Sequence, residues 1–484
     1  MNKIISKITF ALSMVVLLAA CSDEELNSEA KIVSSFRVVG ISGATYNSSI
    51  EGNKITIKIA PHINATTELD SVVPIFFLSK GATVDPDPSI PQNFTQEGGV
   101  KYTISSQDGG EHKEYIVTYG DSDLLPHGEG FSFAEIGVSK LFHEMGYPGE
   151  QGNYDFADSK QYGDLNSYHA YCGDYIVMLS RQYVDSDPNS PYCVKVVDKT
   201  SLDDASSFNL GTIAVENLKM ISSDYYGNCV GIVTDGTQTE VFYWKNPSDA
   251  PTSVGSIDVN LAPFADSSNN FQVAGDITSN AWISAYGTPR DASIGRHYRV
   301  KITAGKLASK HTIIETSYAS NDCTGFQMIS PYDDSDQPRY VVGDSKGAAN
   351  KARSIGVYAN TFDGLTTDVM PELWQNTLQP WWVGTGTTPK RMGSHAPIVS
   401  AMLINGKSYV VVLSGTAWRQ AAAVLTSDLQ TLAHENLNIA ETVNRAWSFG
   451  GWVDWYWDKD KNEGNLSIWF GRYGMKTYKL SCYQ

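Results

Sequence analysis

Residues 446–478 decide the fold, and they read AWSFGGWVDWYWDKDKNEGNLSIWFGRYGMKTY. Aromatic and β-branched runs alternate in this stretch with polar segments that contain glycine or asparagine. That pattern is typical of antiparallel strands joined by tight turns. The runs lie around Trp455, Ile468 and Thr477. The stretch therefore predicts three consecutive strands of a β-meander.

The same unit recurs upstream with a period near fifty residues. Comparable strands open at Tyr168, Leu218, Phe271, Phe326, Ile398 and Trp447, in steps of 50, 53, 55, 72 and 49 residues. A period of this length with about four strands per unit is what a β-propeller blade requires. The repeat therefore predicts about six blades, and a strand within residues 131–138 is expected to complete the last blade by joining the two ends of the chain. The alternative is a pair of β-sandwiches.

The composition agrees with an all-β chain of more than one domain. The 484 residues include 41 Gly, 26 Tyr and 11 Trp, and only 18% of them are charged. A chain of this length is too long for one ordinary compact core. The formal net charge of −17, without clustered Lys or Arg, argues against nucleic acid as a partner. It also disfavours polyanions such as sulfated glycans, unless a local basic pocket overrides the average.

Residues 1–20 are predicted to be a signal peptide. Lys3 and Lys7 precede an apolar run that ends at Leu18 and is too short to span a bilayer as a helix. The sequence LAAC at 18–21 resembles the lipobox of bacterial lipoproteins, which implies that Cys21 becomes the lipid-modified N-terminus. The acidic segment at 22–25 resembles the tag that sends Bacteroidetes lipoproteins to the outer face of the outer membrane. The alternative is a plain signal peptide followed by an unpaired cysteine.

After a tether at residues 21–30, residues 31–120 are predicted to form a small β-sandwich. Lys54–Ile59 places three Ile on one face and Lys, Thr and Lys on the other, as in a half-buried strand. The segments FFLSKGA at 76–82, VKYTI at 100–104, DGG at 108–110 and YIVTY at 115–119 resemble the immunoglobulin-like N-terminal domain of Bacteroidetes surface lipoproteins, the domain-of-unknown-function 5018 group. The resemblance implies a spacer that holds the propeller domain, expected at residues 126–484, away from the membrane. It implies no catalytic residues.

The sequence contains no strong motif for metal binding or nucleophilic catalysis. Residues 458–469 begin like a calcium loop, but the sixth position is Glu463 instead of Gly and the twelfth is Trp469 instead of Glu. A hairpin turn is predicted there. No His-Glu-x-x-His, paired Cys-x-x-Cys or Gly-x-Ser-x-Gly motif occurs, so no metal and no cofactor is expected. The cysteines after Cys21 are odd in number and widely spaced, which indicates buried thiols more than a disulfide framework.

Tryptophan residues define the predicted ligand site. The 72-residue unit contains an insertion in which Trp374, Trp381 and Trp382 lie between Pro and Gly residues. Indoles are costly to leave in water unless they pack or bind something. Their flat faces suit the C–H faces of sugar rings, and their N–H groups can bond hydroxyls. Neighbouring units add the candidates Trp418, Arg419 and Trp452. The alternative for each Trp is packing between blades.

These features predict a lipid-anchored outer-membrane protein that faces the cell exterior and binds a glycan or other nutrient for uptake. An outer-membrane transporter is the expected protein partner, and the anchor is the expected contact with the membrane. One alternative is a surface glycoside hydrolase or lyase, with two carboxylates about 5 to 10 Å apart at the mouth of the propeller channel. The other alternative is an interaction scaffold for a transporter, which a broad apolar rim would indicate.

Overall fold

The computed structural model shows a chain that is nearly all β. It describes residues 26–134, 138–141, 144–145, 149–150, 153–154, 167–180, 194–235, 238–257, 269–287, 294–317, 328–344, 354–358, 365–368, 398–416, 419–429, 432–434, 451–470 and 474–483. The chain separates into two compact units. The first ends at Leu124 and includes Tyr483, and the second is Leu125–Cys482.

The first unit is built on a seven-stranded sheet. Its elements are β1 (Ile32–Val39), β2 (Thr45–Glu51), β3 (Lys54–Ile59), the helical turn α1 (Ala65–Glu68), β4 (Pro74–Leu78), β5 (Thr83–Asp85), β6 (Val100–Ser105) and β7 (His112–Asp121). The hydrogen-bonded order is β4-β1-β2-β3-β7-β6-β5, in which β3 and β7 are parallel. Ile55, Ile57 and Ile59 are buried, as the alternation in β3 predicts.

The predicted immunoglobulin-like sandwich is not confirmed. All seven strands belong to one hydrogen-bonded path, because β2 pairs with β1 through residues 45–47 and with β3 through residues 48–51. Strands far apart in this order still share one core, because the rings of Phe76 in β4 and Tyr102 in β6 meet edge to face with centroids 5.0 Å apart. Alternation along a strand predicts which face is buried, but it does not predict which strands pair.

The second unit is a propeller-like arrangement of small antiparallel sheets. The chain enters it through β8 (Ser132–Ala134), β9 (Ser139–Leu141), β10 (Gly149–Glu150) and β11 (Asn153–Tyr154). The first sheet of the ring contains β12 (Ser167–Cys172), β13 (Tyr175–Ser180) and β14 (Val194–Asp198). A 3-10 turn at Val215–Asn217 leads to the second sheet, with β15 (Leu218–Ser223), β16 (Cys229–Thr234), β17 (Thr239–Trp244) and β18 (Thr252–Ile257).

Four further sheets complete the ring. The third has β19 (Asn269–Gly275), β20 (Ala281–Gly287), β21 (Ile294–Thr303) and β22 (Lys306–Ser317). The fourth has β23 (Met328–Pro331), β24 (Tyr340–Asp344), β25 (Ser354–Tyr358) and β26 (Leu365–Asp368). The fifth has β27 (Ile398–Ile404), β28 (Lys407–Thr416), β29 (Arg419–Thr426) and β30 (Leu432–His434). The last sheet has β31 (Gly451–Asp458), β32 (Glu463–Phe470) and β33 (Gly474–Ser481), joined by β8 and β9.

The first strands of these sheets follow one another around a closed ring. Each of β12, β15, β19, β23, β27 and β31 contacts the next, and β31 contacts β12. The predicted closure is confirmed, because β8 near the start of the unit pairs with β33 at its end. Strands from the two ends thereby share one sheet, which removes a free edge.

Among the described residues the number of complete blades is five, one fewer than predicted. Five sheets of the ring have four or more strands, whereas the sheet β12–β14 has three among the residues described. Where a fourth strand would pair with β14, Asp204 makes only an isolated bridge to Val197. The repeat in the sequence marks the unit at Tyr168, but it does not reveal that its last strand is reduced to one bridge.

The expectations for the calcium-like segment and the cysteines agree with the structure. Residues 459–462 form a hairpin turn between β31 and β32, in which Asp458 Oδ1 accepts the backbone N–H groups of Asp460 (3.0 Å) and Lys461 (3.1 Å). Among the cysteines that the structure describes, Cys172, Cys229 and Cys482 are buried free thiols, and Cys193 and Cys323 lie outside the described residues. Within the described ranges, no group of His, Cys, Asp and Glu is arranged to hold a metal ion. No helix in the same ranges is long and apolar enough to cross a membrane.

Candidate functional site

The structure describes few of the residues predicted to bind a ligand. The residues that lie outside the described ranges are Cys21, Trp374, Trp381, Trp382 and Trp418. Arg419 begins β29 opposite Thr416, and its side chain is likewise not described. Trp452 in β31 is 1% exposed and meets Tyr168 edge to face, with ring centroids 4.8 Å apart. In this position the Trp452 indole offers almost no surface to a ligand.

The last sheet has one polar and one apolar face. Residues that are neighbours in register across a sheet point to the same side. On the apolar face, Trp455, Leu466 and Tyr478 form one such row. The other face, which we call the polar face, carries three polar rows across β31, β32 and β33 beside the apolar row Trp452-Trp469-Met475. The polar rows are Asp454-Ser467-Thr477, Tyr456-Asn465-Lys479 and Asp458-Glu463-Ser481.

The polar face lies against the sheet β12–β14, the first of the ring. Ser467 Oγ is 2.6 Å from Nε2 of His169 in β12. The rings of Tyr171 and Tyr456 meet edge to face with centroids 4.9 Å apart. Lys199, just after β14, donates a hydrogen bond from Nζ to the Tyr456 hydroxyl over 3.0 Å. Hydrogen-bonding groups therefore line the junction at which the ring closes.

A cavity of about 260 Å³ lies at this junction, and we call it the inter-sheet pocket. Its principal polar walls are Lys199, Tyr456, Asp458, Glu463, Asn465 and Lys479, with Lys461 of the hairpin turn beside them. Ligand pockets in proteins begin at about 300 Å³. The inter-sheet pocket is therefore suited only to a small ligand or to one part of a larger one.

Lys199 holds one wall of the inter-sheet pocket in place. Its ammonium donates hydrogen bonds to Gly173 O (3.2 Å), Asp174 Oδ1 (2.8 Å) and the Tyr456 hydroxyl (3.0 Å). Burial of the Lys199 ammonium acts to lower its pKa. The interactions with Tyr456 and Asp174 have the larger combined effect, so the pKa of Lys199 is raised. The Tyr456 hydroxyl in turn donates to Asn465 Oδ1 over 2.9 Å. Since an ammonium has three N–H groups, Lys199 positions Tyr456 and leaves ligand contact to other residues.

Two further ion pairs line the inter-sheet pocket. Lys479 Nζ lies 2.9 Å from Glu463 Oε1, and Lys461 Nζ lies 3.1 Å from Asp458 Oδ2. The side chains of Lys479 and Lys461 are 29% and 62% exposed, so a ligand can reach their N–H groups. The lining residues include three lysines and two carboxylates, and Asp174, which lies outside the lining, pairs with the third lysine, Lys199. Each of the three lysines therefore has a carboxylate partner, although the chain as a whole is strongly acidic.

Asp454 is a buried carboxylate on the same polar face, but it does not line the pocket. It accepts the backbone N–H groups of Tyr171 (3.2 Å) and Ser223 (3.1 Å) and the hydroxyls of Ser222 (3.3 Å) and Ser223. Burial raises the pKa of Asp454 to about 7, although these hydrogen bonds act to lower it. A raised carboxyl pKa can mark a catalytic acid. Here the carboxylate joins β31 to β12 and β15, so its role is structural.

His169 is also structural. It is fully buried, and burial lowers its pKa to about 3, so the ring is neutral at physiological pH. Its contact with Ser467 connects the first and last sheets. A neutral histidine with no access to solvent holds the polar junction together, and it is not placed to act as a base on a ligand.

The sequence did not single out Lys199, Tyr456, Asn465 or Lys479. The aromatic and β-branched runs within 451–470 predict strands, but they do not indicate that the polar residues of these strands share one face. Nothing near Lys199 in the sequence indicates that it meets Tyr456. That contact spans 257 residues and depends on closure of the ring.

The first unit matches a family model. Residues 33–119 match the family described as SGBP, N-terminal, which is the N-terminal domain of surface glycan-binding proteins. The match lies wholly within the first unit. It supports a Bacteroidetes surface protein, but it does not show membership of the domain-of-unknown-function 5018 group. No curated protein has significant sequence similarity to the chain.

Several solved structures are similar to this chain at low identity. A DUF4623 family protein from Bacteroides eggerthii is 13% identical with a TM-score of 0.39, over 94% of this chain and 98% of that one. A quinonprotein alcohol dehydrogenase-like protein from Bacteroides thetaiotaomicron is 11% identical with a TM-score of 0.29, over 92% and 98%. An endo-arabinase from the same organism is 11% identical with a TM-score of 0.30, over 56% and 96%. Similarities this low support no conclusion about activity.

Proposed function

We propose that this protein is a cell-surface lipoprotein that binds a glycan for uptake across the outer membrane. The match of residues 33–119 to the N-terminal domain of surface glycan-binding proteins carries the proposal. In this proposal residues 1–20 are a signal peptide, residues 21–30 a lipidated tether and residues 31–120 a spacer. Residues 126–484 then bind the glycan and pass it to an outer-membrane transporter.

The proposed anchor predicts that lipid labelling depends on Cys21. In cells fed a labelled fatty acid, the wild-type protein is expected to carry the label, and Cys21→Ala is expected to carry none. Cys482→Ala, which removes a buried thiol of the second unit, is the control and should keep the label. Labelled Cys21→Ala protein, or an unlabelled wild type, would contradict the anchor. A single acyl chain binds membranes only weakly, so stable anchoring requires more than one chain.

The proposed glycan site predicts a loss of binding when its indoles are removed. In affinity electrophoresis, at least one polysaccharide is expected to retard the wild-type protein, and Trp381→Ala/Trp382→Ala should reduce the affinity at least tenfold. The reason is that truncating an aromatic residue central to a binding site commonly costs about 2 kcal/mol or more. Trp374, Trp418 and Arg419 are further proposed contacts.

A matched control for the Trp381/Trp382 experiment is Trp282→Ala. Trp282 lies in β20, is partly buried and donates its indole N–H to Ser335 O over 2.6 Å. Trp282→Ala removes an indole from β20 and leaves Trp381 and Trp382 unchanged, so it should bind polysaccharide like the wild type. If no polysaccharide retards the wild type, or if retardation is the same in the double variant, the proposed glycan site is wrong.

A further inference from the structure

We propose that the inter-sheet pocket binds one neutral sugar ring through residues other than those of the Trp381/Trp382 insertion. This inference rests on the proposed function only for the ligand class, a glycan. The family match covers residues 33–119 and assigns nothing to the second unit, so the pocket stands on its own geometry.

The size of the pocket limits the ligand to one ring. A volume of about 260 Å³ is below the usual range for ligand pockets, so it has no room for several sugars side by side. Its walls are also held in place from both sides. The β31–β32 hairpin, which carries Tyr456 and Asn465, forms one wall, and Lys199 on the opposite side is held by its hydrogen bond to the Tyr456 hydroxyl. A chain end or a free mono- or disaccharide fits this pocket better than the middle of a polymer.

The polar groups of the pocket match hydroxyls better than any single charge. Lys461 and Lys479 offer N–H donors, while their partners Asp458 and Glu463 offer carboxylate acceptors. A sugar hydroxyl both donates and accepts a hydrogen bond, so adjacent hydroxyls can bond to the two members of an ion pair at once. Bonds to charged groups are also the stronger ones.

Other ligand classes fit the same groups less well. An apolar ligand would leave these donors and acceptors desolvated and unpaired, which costs about 1 to 3 kcal/mol for each group. An anion would meet one carboxylate for every ammonium that it bonds. The balance of charges therefore favours a neutral ligand.

A small apolar surface for the ring carbons is present as well. It is formed by Val138 and Thr477 and by the accessible part of the ring of Tyr456, a residue that is 9% exposed. The Tyr456 ring is oriented by its edge-to-face contact with Tyr171 and by the Lys199 ammonium, which lies 5.4 Å from its centroid. Sugars combine C–H faces with hydroxyl edges, and the pocket offers partners for both.

Isothermal titration of the purified protein tests the proposal. The probes are glucose, galactose, mannose, xylose and arabinose with their β-linked disaccharides, and glucuronate and galacturonate serve as anionic counterparts. At least one neutral sugar is expected to bind, and Lys461→Gln/Lys479→Gln should weaken that binding about tenfold. That factor corresponds to the loss of about 1.4 kcal/mol, as for one hydrogen bond to a charged group.

Lys195→Gln is the matched control. Lys195 lies in β14, pairs with Asp204 at 3.2 Å and is 25% exposed, but it does not line the pocket. It should bind the sugar like the wild type. Thermal melting of all the variants verifies that they are folded, which is expected because the replaced side chains are partly exposed.

Three results would overturn the proposal: no neutral sugar binds, binding is equal in the double lysine variant, or the uronates bind more tightly than the neutral sugars. The sugar titration and the polysaccharide retardation experiment can fail independently, so failure of the pocket can be told apart from failure of the proposed function. Polysaccharide retardation that depends on Trp381 and Trp382, together with absent monosaccharide binding, would support the glycan site and remove the pocket. Monosaccharide binding that depends on Lys461 and Lys479, without any polysaccharide retardation, would support the sugar-binding pocket and contradict the proposed glycan site at Trp381 and Trp382.

Discussion

Asp454→Ala is expected to lower the free energy of unfolding by about 3 kcal/mol, with loss of cooperative folding if the closed ring is only marginally stable. The carboxylate accepts hydrogen bonds from β12 and β15, and alanine would leave the buried Ser223 N–H and Ser222 hydroxyl without it. Unpaired buried donors cost more than the average hydrogen bond is worth. Urea denaturation followed by tryptophan fluorescence measures the change.

Asp454→Asn keeps part of the hydrogen bonding and removes the charge. Asparagine has the same shape and keeps an oxygen for the Ser223 N–H and the Ser222 hydroxyl, but its NH2 group replaces the oxygen that accepts the Tyr171 N–H. It should therefore destabilise the protein less than alanine at pH 7, and a loss equal to that of alanine would show that the oxygen kept for Ser222 and Ser223 contributes little. A loss near zero for alanine would contradict the structural role of Asp454.

The pH dependence of stability should also change in Asp454→Asn. Burial raises the pKa of Asp454 from 3.8 to about 7, so the folded state binds a proton more tightly than the unfolded state does. The resulting stabilisation is complete below about pH 4 and is lost as the pH rises to about 7. The difference in unfolding free energy between wild type and Asp454→Asn should therefore shift against the wild type as the pH rises from 4 to 8.

The comparison must be made as a difference between the two proteins. His169 acts in the opposite direction. Burial lowers its pKa to about 3, so the unfolded state binds a proton more tightly than the folded state does. The folded protein therefore loses stability as the pH falls. Burial raises the pKa of Asp224 to about 6, which adds to the effect of Asp454. Both contributions cancel in the difference. A difference that does not vary between pH 4 and pH 8 would show that Asp454 has an ordinary pKa.

Trp452→Ala is expected to lower the free energy of unfolding by about 3 to 5 kcal/mol, the usual cost of truncating a buried aromatic residue. Trp452 is 1% exposed and packs on Tyr168, across the contact between β31 and β12 at which the ring closes. The loss of the indole would leave a cavity at that contact. Chemical denaturation gives the magnitude.

Trp452→Phe distinguishes a core residue from a ligand contact. The Trp452 indole N–H has no hydrogen-bond partner among the described residues, so phenylalanine loses volume but no hydrogen bond. We expect a smaller loss of stability than with alanine and unchanged retardation by any polysaccharide that binds the wild type. If Trp452→Phe abolished retardation while its stability stayed near that of the wild type, Trp452 would be a ligand contact, as its aromatic neighbourhood in the sequence suggested.

Local patterns determined the parts of this protein that depend on neighbours in the chain. Alternation predicted β3 with its buried isoleucines, and the polar residues 458–463 predicted a hairpin turn where the first positions mimic a calcium loop. The fifty-residue repeat predicted sheets in a ring, and the strand near Phe131 predicted its closure through β8 and β33. Each of these follows from side-chain period, turn chemistry or the need to remove free edges.

Tertiary structure alone decided strand partners and the contents of the site. The seven strands of the first unit form one hydrogen-bonded path, and the alternation within each strand does not predict that order. Trp452 is buried against Tyr168, while a cluster of Trp in the sequence suits a core and a binding surface equally. The inter-sheet pocket exists because closure of the ring brings Lys199 to Tyr456 across 257 residues. Such contacts have no local signature, since they arise from which sheets become neighbours and not from the spacing of residues along the chain.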